Sequence, residues 1–201
     1  MINNQLMTDL LCTQGFYITD DFLEPHYFQS LFRLADELYQ KNLFSQAKIG
    51  IKIQEQQNNS IRMDEIFWLD EAESDSAIQA YLKQTHQIAE MLNQSLYLGL
   101  HEFETHFAVY QKGAFYKKHC DQFATNKTRK ISCVYYLNEH WKDHYGGELK
   151  LYNREGNLIQ SVFPRGNRFI CFNSDMLHEV CITHQPRFSI AGWMKTRPYN
   201  L

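Results

Sequence analysis

The succession of segments in this chain predicts a mainly β fold with supporting helices: a double-stranded β-helix (jelly roll, cupin-like) with N-terminal helices packed on one sheet. Two observations carry that expectation. From residue 96 onward, about eight short β-like runs follow one another with turn signals between them. Before that point the chain holds two segments of helical periodicity.

In chain order, Phe-Tyr-Ile-Thr at 16–19 reads as a strand. Asp20 or Asp21 then offers an N-cap, and residues 25–41 place Phe28, Leu31, Phe32, Leu34, Leu38 and Tyr39 at helical spacing. Residues 44–60 are polar and rich in Gln, ending Gln-Glu-Gln-Gln-Asn-Asn-Ser. They predict a loop, or a hairpin with a mobile tip; a solvated connection and a functional flap are both open readings. Ile-Arg-Met-Asp-Glu-Ile-Phe-Trp-Leu at 61–69 predicts a strand. A second helix is predicted at 75–95, capped by Ser74 or Asp75 and apolar at Ile78, Tyr81, Leu82, Ile88, Met91 and Leu92. The β-like runs are 105–111, 115–121, 131–137, 148–152, 158–163, 168–173, 178–182 and 187–195. Gly146-Gly147, Arg154-Glu155-Gly156-Asn157 and Pro164-Arg165-Gly166-Asn167 punctuate them. With no internal repeat and no linker, the expectation is one domain over 1–201. In it, 1–95 supplies helical support and a mobile loop, and 96–195 the jelly-roll core.

Composition narrows the function classes. The chain has 201 residues, enough for one domain with a sizeable core. A net charge of −3 gives no general attraction to nucleic acid or to a membrane surface, so neither is expected as a partner. The N-terminal residues carry no basic region followed by a long apolar run, so no signal peptide or transmembrane span is expected. The five cysteines are odd in number and scattered, without a Cys-x-x-Cys. Free thiols in a reducing cytosol, and hence a cytoplasmic protein, are the expectation. Gly-rich phosphate loops, Gly-x-Ser-x-Gly elbows and His-Glu-x-x-His motifs do not occur.

The chemistry-bearing pattern is His119-x-Asp121, then His178, then Arg187 nine residues on. Two imidazoles and one carboxylate can bind one face of an octahedral Fe(II), leaving three adjacent positions for a co-substrate and O2. On a strand, residues i and i+2 project from one face, so His119 and Asp121 can both turn inward while Cys120 turns away. Arg187 could clamp a carboxylate with two parallel N–H donors. An isolated His-x-Asp is usually an ordinary surface or capping pair. Context argues otherwise, because each candidate lies in or beside a strand-like run, as a site inside an all-β barrel requires.

Alternation predicts which side chains share that interior. In 187–193 Arg187, Ser189, Ala191 and Trp193 lie on one face; in 131–137 Ser132, Val134 and Tyr136; in 105–111 His106, Ala108 and Tyr110. Small residues at 189 and 191 leave room for a small acid beside Arg187. Tyr136 could offer its hydroxyl to the same carboxylate, Tyr110 could contact co-substrate or substrate, and Leu149 and Leu151 would form an apolar wall. His184 reads as a solvated turn residue. Arg165 and Arg168 are rivals to Arg187, and the remaining histidines read as surface or core residues.

The strings Tyr116-Lys-Lys-His119-Cys-Asp121, Arg129-Lys-Ile-Ser-Cys-Val-Tyr-Tyr136-Leu-Asn138-Glu-His-Trp141, Gly146-Gly147-Glu-Leu149, His178-Glu-Val180 and Arg187-Phe-Ser-Ile-Ala-Gly-Trp193 carry a resemblance. The segment from Tyr110 to Trp193 resembles the 2-oxoglutarate- and Fe(II)-dependent prolyl 4-hydroxylases of the hypoxia-inducible-factor prolyl hydroxylase type, and their bacterial relatives. Upstream, Ile61-Arg62-Met-Asp64-Glu-Ile-Phe-Trp68 is similar to the strand that closes the mobile substrate loop in that family, so the likeness covers about residues 14–195. It implies iron on His119, Asp121 and His178, and the distal carboxylate of 2-oxoglutarate on Arg187 and Tyr136. It also implies Tyr110 by the iron, with Leu149, Val134 and Val180 lining the pocket. Arg62, Asp64, Arg129 and Trp193 match positions used around the substrate peptide or the loop. The implied reaction hydroxylates a prolyl residue of a protein substrate with O2, yields succinate and CO2, and draws on ascorbate as reductant. Unlike the animal enzymes, this chain shows no N-terminal zinc-finger region, has a different Gln/Asn-rich loop at 54–59, and carries Ala191 where they have a hydroxyl-bearing side chain. A same-fold oxygenase acting on another side chain or a small molecule, and a non-catalytic jelly-roll binding module, are the alternative readings. Oligomeric state is not legible in the sequence.

Overall fold

The structure is a computed structural model that describes residues 3–47, 58–70, 74–122 and 126–198. Most of the predicted loop at 44–60 lies outside the described residues.

Three helices precede the main run of strands. α1 (Asn4–Thr13) was not expected from the sequence; Asn3 caps it by accepting from the Leu6 N–H, and it buries Met7 and Leu11. β1 (Phe16–Thr19) lies where the sequence places it. α2 spans Pro25–Gln40, and its N-cap is Glu24 rather than Asp20 or Asp21. The helix starts there because Pro25 occupies the first turn, where its fixed φ suits a helix and its missing N–H costs nothing. Asp20 is engaged by Arg168 instead, and Asp21 has a φ of 52°, which is not a cap conformation. α3 (Ser76–Leu96) is capped by Asp75, whose carboxylate accepts from the N–H groups of Ala77 and Ile78.

The remaining strands are β2 (Ser45–Gln46), β3 (Glu65–Trp68), β4 (Leu100–Tyr110), β5 (Tyr116–His119), β6 (Arg129–Tyr136), β7 (Leu149–Tyr152), β8 (Leu158–Val162), β9 (Phe169–Asn173), β10 (Leu177–Val180) and β11 (Arg187–Thr196). They form two antiparallel sheets, in the orders β1-β9-β6-β11-β4-β3-β2 and β5-β10-β7-β8. This is the predicted jelly roll. β4 begins five residues before the expected 105. β3 begins only at Glu65, because Arg62 leaves that ladder to bridge Tyr116 and the Met63 N–H donates to the Phe115 carbonyl.

Strand parity divides the interior into two cores. On β11, Phe188, Ile190 and Met194 pack against the helices together with Phe107 and Val109 of β4 and Ile131, Cys133 and Tyr135 of β6. The helices contribute Leu31, Ala35, Ile78, Tyr81 and Leu92 to that core. The opposite face of the large sheet meets the small one through Ala108, Tyr110, Tyr136, Leu149, Leu151, Val162, Phe172 and Val180. Burying each large apolar side chain contributes roughly 1.5–3 kcal/mol. The second core is interrupted by polar residues, and there the pocket opens. Among the described residues, no helix is long and apolar enough to cross a membrane.

Candidate active site

His119 ends β5, and His178 lies on β10, where the antiparallel register makes them partners. Their rings approach to 4.2 Å between centroids. Asp121 lies past the end of β5 rather than on it, a correction to the expectation that one strand face presents both His119 and Asp121. Its orientation comes from elsewhere. The N–H groups of Asp121 and Gln122 donate to the Ser174 carbonyl at 3.1 and 3.0 Å. The Ser132 hydroxyl donates to Asp121 Oδ2 at 2.7 Å and lies 2.9 Å from the Ser174 hydroxyl.

The three side chains converge, with ligand atoms all within 4.8 Å of one another. His119 Nε2 is 3.6 Å from Asp121 Oδ1, and His178 Nε2 is 3.5 Å from Asp121 Oδ2. Each imidazole turns Nδ1 to a backbone carbonyl, that of Lys117 for His119 (2.7 Å) and that of Met176 for His178 (2.9 Å). A carbonyl only accepts, so each Nδ1 carries the proton and each Nε2 lone pair faces the centre. Burial, helped by His119, pushes His178 down to about 4. Burial alone would raise the Asp121 carboxyl, but His178, His119 and Ser132 outweigh it and hold it well below the usual carboxylate range. The centre therefore presents two imidazole Nε2 atoms and one carboxylate, the donor set suited to a divalent iron with open positions.

Arg187 lines the same pocket and is 1% exposed. Its Nε donates to the Gly147 carbonyl at 2.9 Å and its Nη1 to the Ser189 hydroxyl at 3.3 Å. Gly147 has a φ of +66°, and a Cβ there would lie 3.2 Å from Arg187 Cδ, so glycine serves both the turn and the arginine. The guanidinium lies over the rings of Tyr110 and Tyr136 at 4.9 and 5.0 Å. Among the described residues no carboxylate pairs with it, and the buried Tyr136 hydroxyl lacks a hydrogen-bond partner. Burying an unpaired cation costs several kcal/mol, so a carboxylate brought here by a ligand would stabilise Arg187. The two rival arginines are occupied: Arg168 grips Asp20 with bonds of 2.6 and 2.9 Å, and Arg165 pairs with Asp143 at 3.0 Å.

Leu149, Val134 and Val180 also line the pocket. At the mouth, Arg62 holds Asp64 with two bonds, 2.6 and 2.8 Å, and lies 4.8 Å over the Tyr116 ring. Arg129 stacks 3.5 Å over Trp193. Of the site residues expected from the sequence, all but Tyr136 and Arg129 line this pocket; Tyr136 lies against Arg187, and Arg129 against Trp193. His184 is exposed and lies apart. Three functional positions were not read from the sequence. Ser132 braces Asp121, and its inward face was the available signal. Asn138 pins the start of β11 through the Phe188 N–H (2.6 Å) and carbonyl (3.0 Å), with no local signal. His106, which alternation put on one face with Tyr110 but without assigning it a role, lines the pocket.

With that geometry in place, comparison with known proteins is informative. Residues 105–195 match the model of the 2OG-Fe(II) oxygenase superfamily. The chain is similar to a prolyl-4-hydroxylase from Pseudomonas putida, with a TM-score of 0.87 and 31% identity, over 98% of this chain and 100% of that one. It is also similar to a prolyl hydroxylase from Trichoplax adhaerens, solved with a peptide fragment of the hypoxia-inducible-factor oxygen degradation domain. There the TM-score is 0.87 and the identity 25%, over 96% of this chain and 88% of that one. A hypoxia-inducible-factor prolyl hydroxylase from Caenorhabditis elegans is 28% identical over 201 residues; the match takes in 89% of this chain but only 26% of that protein's length.

Proposed function

This chain belongs to the 2OG-Fe(II) oxygenase superfamily, and from that premise we propose that it hydroxylates a prolyl residue within a protein substrate. The balanced reaction consumes one prolyl residue, 2-oxoglutarate and O2, and forms hydroxyprolyl, succinate and CO2. The observation that carries the reading is the pairing, in one pocket, of an acid-free, buried Arg187 with the His119–Asp121–His178 cluster. A ligand with a carboxylate at one end and a chelating group at the other could engage both.

In this reading His119, Asp121 and His178 hold Fe(II). The metal, when bound, supplies the redox chemistry that couples decarboxylation of 2-oxoglutarate to insertion of oxygen into a C–H bond. The protein's part is positioning and shielding. Arg187 fixes the distal carboxylate with its planar fork, and the Tyr136 hydroxyl donates to the same group. Tyr110 lies beside the co-substrate. Leu149, Val134 and Val180 flank its methylenes and keep water from them. Ser132 holds Asp121 in register with the two imidazoles. Arg62, Asp64, Arg129 and Trp193 form the rim that meets the peptide. Ascorbate as reductant, a cytoplasmic location and a single domain over 1–201 complete the proposal.

Support for a peptide over a small molecule comes from the whole-chain similarity to a prolyl-4-hydroxylase and from the mouth. There an exposed Trp68 packs against His106 and Trp193 of the pocket lining, and Arg129 stacks on Trp193. The test is incubation of cell lysate with the protein, Fe(II), 2-oxoglutarate and ascorbate, followed by mass spectrometry. One added oxygen on a prolyl residue, absent with Asp121→Ala, is the expected result. Steady 2-oxoglutarate consumption with no oxidised proline in any protein would overturn the substrate class.

A further inference from the structure

His106 is 1% exposed and lines the pocket, yet neither of its ring nitrogens has a hydrogen-bond partner among the described residues. Unmade hydrogen bonds on a buried ring are costly, and their usual explanation is a partner that arrives from outside the chain. Packing alone does not explain this residue. It contacts Trp68 edge-on at 4.8 Å and Trp193 at 5.4 Å, where an apolar side chain would leave nothing unsatisfied.

Register gives the surroundings a definite shape. Trp68, His106, Ala191 and Val134 are successive cross-strand partners on β3, β4, β11 and β6. Neighbouring strands lie about 4.8 Å apart, so His106 and Val134 stand roughly 10 Å apart with only the Ala191 methyl between them. On β11 the next residue of that face is Trp193 in one direction and Ser189, toward Arg187, in the other. The result is a trough with a methyl floor, an aromatic end and an imidazole wall. It lies beside Trp68, which is 53% exposed. Burial pushes His106 down to about 3, so near neutral pH its ring carries one donor and one acceptor. The charged groups around it are Arg62, Asp64, Arg129 and Asp121.

Resting on the prolyl reading above, we propose that His106 is a substrate-binding residue whose ring N–H donates to the main-chain carbonyl of the prolyl residue seated over Ala191. The carbonyl is the available partner because a prolyl residue has no N–H of its own. Ala191 is then a specificity element too, since a larger side chain would fill the trough.

The experiment compares the wild type with His106→Met and His106→Gln on a synthetic peptide carrying the prolyl site recovered from the lysate. It reads the KM for peptide, the KM for 2-oxoglutarate and the thermal midpoint. Methionine removes the donor, so the peptide KM should rise about tenfold, the effect of one lost hydrogen bond to a buried partner. The KM for 2-oxoglutarate should move less than about twofold, and the midpoint should hold or rise because no unpaired nitrogen remains. Glutamine keeps an N–H donor and should recover most of the peptide affinity. If methionine prevents folding, His106→Ala takes its place in the same comparison. A wild-type peptide KM in the methionine variant overturns the proposal. So does a glutamine variant that loses peptide and 2-oxoglutarate affinity together, because that reports a deformed pocket. If the wild type leaves every prolyl peptide unmodified, the prolyl reading and this inference fall together; oxidation by the wild type with indifference at His106 removes only the inference.

Discussion

His119 and His178 are 59 positions apart in the chain and directly opposite one another in the ladder between β5 and β10, with their rings 4.2 Å apart. Antiparallel pairing, not sequence proximity, makes them one site. Asp121 completes it from outside the strand.

Loss of either His178 or Asp121 leaves two side chains to hold the metal. His178→Ala and Asp121→Ala should therefore abolish succinate formation from 2-oxoglutarate. Ser132→Ala should be milder: Asp121 loses its hydroxyl donor, and metal affinity should fall about tenfold, as for other groups that orient a ligand. Anaerobic titration with Fe(II) measures this directly. His184→Ala should behave as wild type. Full succinate production by His178→Ala would remove the iron assignment.

Arg187→Ala should raise the KM for 2-oxoglutarate by the equivalent of about 2 kcal/mol or more, because the ligand carboxylate loses its only cation. Arg187→Lys keeps the charge without the fork and should fall between Ala and wild type. Tyr136→Phe should raise the same KM modestly with little loss of stability, since among the described residues no hydrogen bond within 3.5 Å is made by the hydroxyl. Initial rates across a 2-oxoglutarate series decide the order; an unchanged KM in both Arg187 variants would locate the clamp elsewhere.

Asp64 is 1% exposed and receives two bonds from Arg62. Asp64→Ala strands a largely buried guanidinium and should cost about 3 kcal/mol of stability. The double variant that also replaces Arg62 with Met should recover part of that loss, because neither charge is then left alone. Denaturant midpoints of the two variants test the ordering, and a double variant less stable than the single would contradict it.

Acid should destabilise the metal-free protein through His106. Its ordinary value of 6.5 falls to about 3 in the fold, chiefly through burial. Between those values the unfolded chain binds a proton that the folded chain does not. Stability therefore increases with pH across that window and is lost as pH falls from about 6.5 toward 3. One group contributes a slope of at most about 1.4 kcal/mol per pH unit. His106→Met should flatten the dependence of the thermal midpoint on pH over that range. An identical slope in the variant would show that other groups carry the acid sensitivity.

Local periodicity made much of this protein legible. The inward faces of β4, β6 and β11 follow from alternation alone, since a strand presents every second residue to one side. The helices at 25–41 and 75–95 and the strand at 16–19 were likewise readable from spacing. Short-range choices between equivalent signals were less so. Pro25, not the acidic pair at 20–21, starts α2, because Asp20 has a better partner in Arg168 across the fold.

The amino-acid order by itself thus determined the architecture, the ligand set and the parity that puts Arg187, Ser189, Ala191 and Trp193 on one surface. Tertiary structure alone decided which arginine stays free of acid, since Asp20 and Asp143 neutralise Arg168 and Arg165 from distant segments. It also decided how Asp121 is aimed, through Ser174 and Ser132, and that His106 is buried with no hydrogen-bond partner among the described residues. The physical reason is the range of the forces involved. Strand period is set by backbone sterics within a few residues, whereas register, desolvation and the pairing of polar groups depend on segments that meet only when the sheets close.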